Sequence, residues 1–310
     1  MSFLEQVCAP FLRRTQNSDG GWGYRPEAAS AVEPTGCVML ALKGLESAED
    51  FSQETNRGCD WLAGTQLPDG SWPTYPGQKQ GNWVTALGCL ALRVQEFAPE
   101  RVERAARWLT DARPGKVSFL GRVRLRLAAR KMGVGQNPAL IGWSWTAGTS
   151  SWVEPTAAAL LALRHSPVGH SEKGAASRRK MGEALLLDRM CPGGGWNCGN
   201  PMVYGAAGRP LIGPTAWALF ALAGLPERTE VRQSLDWLEG SYAGARGPAS
   251  LALAHLCLQA YGRNVPALEP ALQRSFAVNQ FFDQVPAMAW AALALRLTPN
   301  WLRIPGEARG

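Results

Sequence analysis

Two glutamates stand in the same setting, Val32-Glu33-Pro34-Thr35 and Val153-Glu154-Pro155-Thr156, each running straight into an Ala/Leu-rich helical segment. Proline suits the first helical position, where its missing N–H has no partner in any case. Glu33 and Glu154 would then be N-caps, a position where Ser, Thr, Asp and Asn are the usual choices. A carboxylate near a helix start gains a few tenths of a kcal/mol, up to about 1, from the helix dipole. The chemistry open to it is general acid or base catalysis, and plain dipole compensation is the bland alternative.

Other side chains could join such a site. Asp283 stands ahead of Pro286, slightly early for a simple cap. His255 lies on an apolar helical run, where it is either a satisfied core histidine or a ligand. His165 and His170, at a helix end and in the loop after it, are expected on the surface. The 7 cysteines are scattered and form no CxxC pair, so reduced, buried thiols are expected. There is no Gly-rich phosphate loop and no nucleophile elbow, and neither a metal nor a cofactor is expected.

The elements that must position these residues repeat along the chain. PTGCVMLAL (34–42), VTALGCLAL (84–92), PTAAALLAL (155–163) and PTAWALFAL (214–222) align on their helix starts, and looser copies follow from Pro248 and Pro286. These helices are apolar nearly all round and must be buried. Between them lie amphipathic helices such as TNRGCDWLAGTQ (55–66) and PERVERAARWLTDA (99–112), with one face for water. Six buried helices alternating with six amphipathic ones predict an all-α fold, an (α/α)6 toroid with an inner and an outer ring. Inner helices about 9 to 10 Å apart leave an axial hollow of roughly 4 Å radius. Parallel inner helices put all their N-termini at one rim, which Glu33, Trp83, Trp152, Glu154, Gly213, Gly247, Asp283 and Val285 would share.

The bulk composition agrees with one large globular ring over residues 1–310, with hydrophobic residues at 46% and charged ones at 18%. A net charge of +7 with dispersed basic residues argues against nucleic-acid binding. The first residues lack a basic start and an unbroken apolar core, so no signal peptide is expected, and no run is long enough to span a membrane. A cytoplasmic protein is the expectation.

The 13 tryptophans mark a loop pattern. Gln16-Asn-Ser-Asp-Gly-Gly-Trp22, Gln66-Leu-Pro-Asp-Gly-Ser-Trp72, a degenerate Gln136 to Trp143, and Cys191-Pro-Gly-Gly-Gly-Trp196 each precede an inner helix. Gly supplies positive φ and Trp a large plate with one donor, which reads first as glue between repeats. Followed by Pro-Thr-Ala-x-x-Leu-x-Ala-Leu helices, these segments resemble the QW repeats of the squalene and oxidosqualene cyclases. That repeat family also includes class II diterpene cyclases and protein prenyltransferase β-subunits.

The resemblance implies an axial cavity for an isoprenoid. It places Glu154 on the position of the cyclases' alkene-protonating acid, with Trp152 and Pro155 where flanking acids stand in the family. A lone Glu, which titrates at about 4.3 when nothing perturbs it, suits that task poorly. The prenyltransferase zinc ligands are replaced by Gly213 and Thr215, and His255, in Ala254-His255-Leu256-Cys257, is the surviving counterpart. Zinc prenyltransferase chemistry is therefore not expected. Substrate contacts would come from Trp152, Trp83, Asp283, His255, Trp22 and Trp217.

A basic insertion at about 113–135 interrupts the repeats. Its segment 116–133 alternates Lys and Arg with apolar residues, suiting either a solvated helix on the ring or peripheral contact with an anionic membrane. The leading expectation is an isoprenoid cyclase-like protein with a glutamate acid or base at the rim and a hydrophobic isoprenoid or lipid ligand. The alternatives are a non-catalytic toroid binding a lipid, peptide or partner protein, and a lyase or hydrolase using the paired carboxylates. The oligomeric state is left open.

Overall fold

The computed structural model describes residues 2–45, 50–112, 136–164, 173–225 and 227–296. The basic insertion 113–135, with its segment 116–133, lies outside the described residues, as do His165 and His170.

The inner helices are α2 (Val32–Leu45), α4 (Val84–Val94), α6 (Val153–Arg164), α8 (Ile212–Ala221), α10 (Pro248–Ala260) and α12 (Val285–Ala294). Each packs on the next, and α12 packs on α2, so the ring closes. The outer helices are α1 (Ala9–Arg14), α3 (Ser52–Thr65), α5 (Pro99–Asp111), α7 (Lys173–Asp188), α9 (Thr229–Tyr242) and α11 (Leu268–Asn279). They lie against the inner helices that flank them in sequence, with α1 reaching back to α12. The fold is the expected α/α toroid. Pro10 cannot donate to the turn before it, and the chain enters α1 through a π-turn, Leu4–Cys8. A hairpin of β1 (Met202–Val203) and β2 (Ala206–Ala207), which the sequence pattern did not announce, rises from the loop before α8.

The inner helices are buried almost throughout, as their all-round apolarity requires. Leu40, Leu42, Leu90 and Leu161 are fully enclosed, each such side chain contributing about 1.5 to 3 kcal/mol.

The Trp loops are the joints between the two rings. The indole N–H groups of Trp22, Trp72, Trp143 and Trp196 donate to the carbonyls of Leu12, Leu62, Leu109 and Leu186 in the preceding outer helices, at 2.6 to 2.9 Å. Their backbone N–H groups donate to Thr35, Thr85, Thr156 and Thr215 of the following inner helices, at 2.8 to 2.9 Å. The threonine of the repeat is thus a buried backbone partner, not a cap. Gln16 and Gln66 donate across to the Glu54 and Arg101 carbonyls of the next outer helices. At the degenerate loop the Arg178 guanidinium takes over, lying 3.6 Å from the Trp143 ring and donating to the Ile141 and Gly142 carbonyls. Gly58 lets a Trp plate approach, since a Cβ there would come within 2.9 Å of the Trp22 ring.

A second set of bonds joins the loops to one another. The carbonyl two residues beyond each plate accepts from the start of the inner helix one repeat back: Thr74 from Val32, Trp145 from Trp83, and Cys198 from Val153, at 3.0 to 3.3 Å. Tyr24 accepts from Val285 at 3.0 Å, tying the last inner helix to the first loop. These bonds correct one expectation. The helices begin at Val32 and Val153, so Glu33 and Glu154 occupy the first turn and are not N-caps. A neighbouring loop carbonyl already takes the leading N–H, which leaves the carboxylates free of capping duty.

Candidate active site at the mouth of the ring

Glu33 on α2 and Glu154 on α6 are separated in the ring by α4. Both are half-buried in the first turns of their helices, at the mouth formed by the inner-helix N-termini, and the charge of Glu33 is felt at Glu154. Burial, and then the ionised Glu33 beside it, push the Glu154 carboxyl up to about 7. Burial also raises Glu33, but a hydrogen bond works the other way: the Tyr24 hydroxyl donates to Glu33 Oε2 at 2.5 Å. Among the described residues Glu154 has no comparable donor. Tyr24 itself is pushed well above the ordinary phenol range, by burial first and then by Glu33, so it stays a donor.

Aromatic groups surround the pair. Trp83, just ahead of α4, meets Trp145 edge to face at 4.7 Å, and Tyr24 lies 6.5 Å from Tyr75. Trp152, beside Glu154, packs against Gly199. One turn inward, Trp217 of α8 and Trp290 of α12 stack at right angles, with centroids 5.6 Å apart. Those helices are separated by α10, so the two indoles meet inside the ring. Trp217 is half-buried between the buried Ala216 and Ala218, and Trp290 is 6% exposed. The lumen therefore opens to solvent as far as Trp217. Cys37, a turn below Glu33, faces the Trp290 indole and holds its proton firmly because it is buried.

The structure thus puts Glu33, Glu154, Trp83, Trp152 and Trp217 on the mouth half of the inner helices and takes two residues, Trp22 and His255, out of the expected set. Trp22 is completely buried between the rings with its N–H committed to Leu12, so no ligand in the lumen can reach it. His255 turns outward to the Tyr242 hydroxyl of α9, at 3.3 Å, and burial lowers it to about 4, so it is a neutral core residue. Asp283 stays at the mouth end as expected, exposed on a left-handed turn, Gln280 to Asp283 with φ of 49° to 57°, and among the described residues no hydrogen bond or ion pair joins it to either glutamate. The described residues contain no group of three His, Cys, Asp or Glu placed to hold a metal.

Tyr24, Tyr75, Trp145 and Trp290 were not foreseen. Three of them carry a signal in the spacing: Tyr24 and Trp145 each stand two residues after a plate Trp, and Trp290 matches Trp217 when their helices are aligned at Val285 and Ile212. A cavity of about 210 Å³ lies off the axis behind Trp83, among Trp108, Trp143, Asn82 and Ala159, and neither glutamate lines it.

No protein-family profile matches the chain, and no curated protein matches it. Solved structures do. A cellobiose 2-epimerase from Bacillus thermoamylovorans aligns with a TM-score of 0.58 at 12% identity, over 89% of this chain and 85% of that one. An α-1,6-mannanase of Salegentibacter aligns with a TM-score of 0.54 at 11% identity, over 94% and 98%. A type II terpene cyclase from Scytonema aligns more loosely, with a TM-score of 0.40 at 16% identity, over 94% and 96%. The first two show a shared toroid architecture.

Proposed function

We propose that the chain is an enzyme that moves protons at the mouth of its ring, on a hydrophobic isoprenoid ligand seated against the Trp and Tyr walls. The observation that carries this is the pair Glu33 and Glu154 in the first turns of two inner helices at one end of the ring, close enough to interact electrostatically, with burial raising the proton affinity of both. A carboxyl titrating near 7 is matched to give and take protons at neutral pH. It is a weaker acid than an ordinary carboxyl, so protonation of a plain alkene, the step the cyclase resemblance implies, is poorly served. Proton transfer at an oxygen, or removal of a proton beside a carbocation held by the aromatic faces, fits the pair.

A second reading is favoured by the unequal settings of the two carboxyls. One acid and one carboxylate beside aromatic faces is also equipment for cleaving a glycosidic bond. The epimerase and the mannanase that share the architecture are, by their names, sugar-acting proteins.

The ligand source supporting the first reading is a lipid surface. Tyr204, Leu211 and Phe282, at 78%, 49% and 61% exposure, stand at the mouth end with the exposed Arg25, Lys79, Arg209 and Arg246.

The test is to incubate the purified protein separately with squalene, prenyl alcohols and oligosaccharides and to read products by mass spectrometry. We expect a new isoprenoid product, reduced on the order of 100-fold or more by E154Q or E33Q. A sugar product instead selects the second reading. A lipid that copurifies unchanged and binds equally to both variants leaves a non-catalytic carrier.

A further inference from the structure

We propose that Tyr24 is a positioning residue: its hydroxyl holds Glu33 with one oxygen turned to the lumen, which makes Glu33 the base and leaves Glu154 as the acid. This rests on the acid–base reading of the mouth and divides the labour within it.

The geometry is specific to one of two otherwise equivalent corners. Val32-Glu33-Pro34-Thr35 and Val153-Glu154-Pro155-Thr156 share sequence, helix position and leading loop bond, yet Tyr24 reaches Glu33 alone. At the Glu154 corner the loop residue equivalent to Tyr24, two beyond the plate Trp143, is Trp145, which packs on Trp83 and carries no hydroxyl; the side chain beside Glu154 is Cys198 of the next loop, whose carbonyl takes the Val153 N–H. A thiol is a weak donor, and burial together with the Glu154 charge keeps it protonated. Tyr24 Oη occupies Glu33 Oε2, and among the described residues Glu33 Oε1 has no hydrogen-bond partner, so that oxygen is the one open to a ligand.

A hydrogen bond to the ionised form favours that form. Glu33 is accordingly the carboxyl that ionises first, and its charge then holds the proton on Glu154. The groups facing Glu33 are Tyr24 from the loop, Cys37 from its own helix and Glu154 from α6; those facing Glu154 are Glu33 and Cys198. Tyr24 is also the residue whose carbonyl closes the ring, so the main-chain bond that fixes the first repeat on the last also fixes the hydroxyl that orients Glu33.

The experiment uses the E154Q protein, in which Glu33 is the remaining mouth carboxyl. Its ionisation is followed by infrared difference spectroscopy against pH, with E33Q/E154Q as the blank. Adding Y24F should raise the Glu33 midpoint by about one to two pH units, the size of one hydrogen bond to an ionised group. An unchanged midpoint overturns the proposal. Phenylalanine keeps the main-chain bond to Val285; if Y24F nevertheless fails to fold, the reciprocal measurement decides. In otherwise wild-type protein, E33Q should bring the Tyr24 phenol titration, read by ultraviolet difference, down toward its ordinary range, and no change there is equally fatal. With a substrate in hand, Y24F should lower kcat and move the acid limb of the pH profile upward by the same one to two units, leaving KM nearly constant. Should the midpoint shift while E33Q and E154Q leave turnover intact, the acid–base reading fails and the catalytic division falls with it, though the bond itself is real.

Discussion

Glu154 is held in the mouth at an energetic disadvantage, and that disadvantage can be measured without any substrate. Its carboxyl is raised from 4.5 in the ordinary state to about 7 in the folded one, so the folded protein binds the extra proton between those values. The stabilising contribution is full below about pH 4.5 and is lost as pH rises through about 7. E154Q removes the titration while keeping size and shape. It should therefore be more stable than wild type at pH 8, by about 1 to 2 kcal/mol after discounting for partial exposure, and close to equal at pH 4. Urea unfolding at both pH values checks this, and equal stability at pH 8 would show that Glu154 is solvated and unpressed.

At the scale of elements, the Trp loops carry the joint between the rings, and the threonine after each helix-starting proline is its hidden half. Replacing Thr85 by Val keeps the shape and leaves the buried Trp72 N–H without its 2.9 Å acceptor. The expected loss is about 1 to 3 kcal/mol, the desolvation penalty of an orphaned donor. A chemical denaturation midpoint unchanged within error would mean that Trp72 finds another acceptor. The turn from Gln280 to Asp283 is strained, since left-handed backbone costs L-residues roughly 1 to 2 kcal/mol each. Phe281 offsets this by packing within 6.1 Å of Phe3 and 5.2 Å of Phe276, which places the exposed Phe282 and Asp283 at the mouth end.

For the whole molecule, closure gives the ring two unlike ends. All inner helices start at the mouth, and the leading N–H groups of α2, α4, α6 and α12 are taken by loop carbonyls from the neighbouring repeat. The exposed Tyr204, Leu211 and Phe282 gather at that end. No helix among the described residues is long and apolar enough to cross a membrane, so contact with lipid would be peripheral. The protein should cosediment with vesicles containing anionic phosphatidylglycerol, less with neutral phosphatidylcholine, and less again at high salt. L211S and F282S together should weaken that binding severalfold, whereas equal partition with both vesicle types would argue for a soluble ligand.

The toroid was legible in the sequence because each repeat cannot bury its apolar face alone. The 3.6-residue periodicity, the Ala-Leu helix ends and the Trp loops all describe surfaces that need a neighbour, and six of them need a ring. Glu33 and Glu154 were legible as an oddity of the same pattern. What a one-dimensional pattern does not contain is direction across the ring. Trp22 and Trp83 are equally plausible walls in sequence, yet one is completely sealed between layers and the other is half-buried, lining the off-axis cavity. His255 turns outward to Tyr242, while Trp217 turns inward to Trp290, a partner on a helix two places round the ring. The difference between the two glutamates is of this kind too. Local sequence specifies a helix's own turn, hence an identical first-turn carboxylate at both corners. Only the tertiary packing decides what reaches each, the hydroxyl of Tyr24 from its own loop at Glu33 and the thiol of Cys198 from the next loop beside Glu154, and proton affinity follows from that contact.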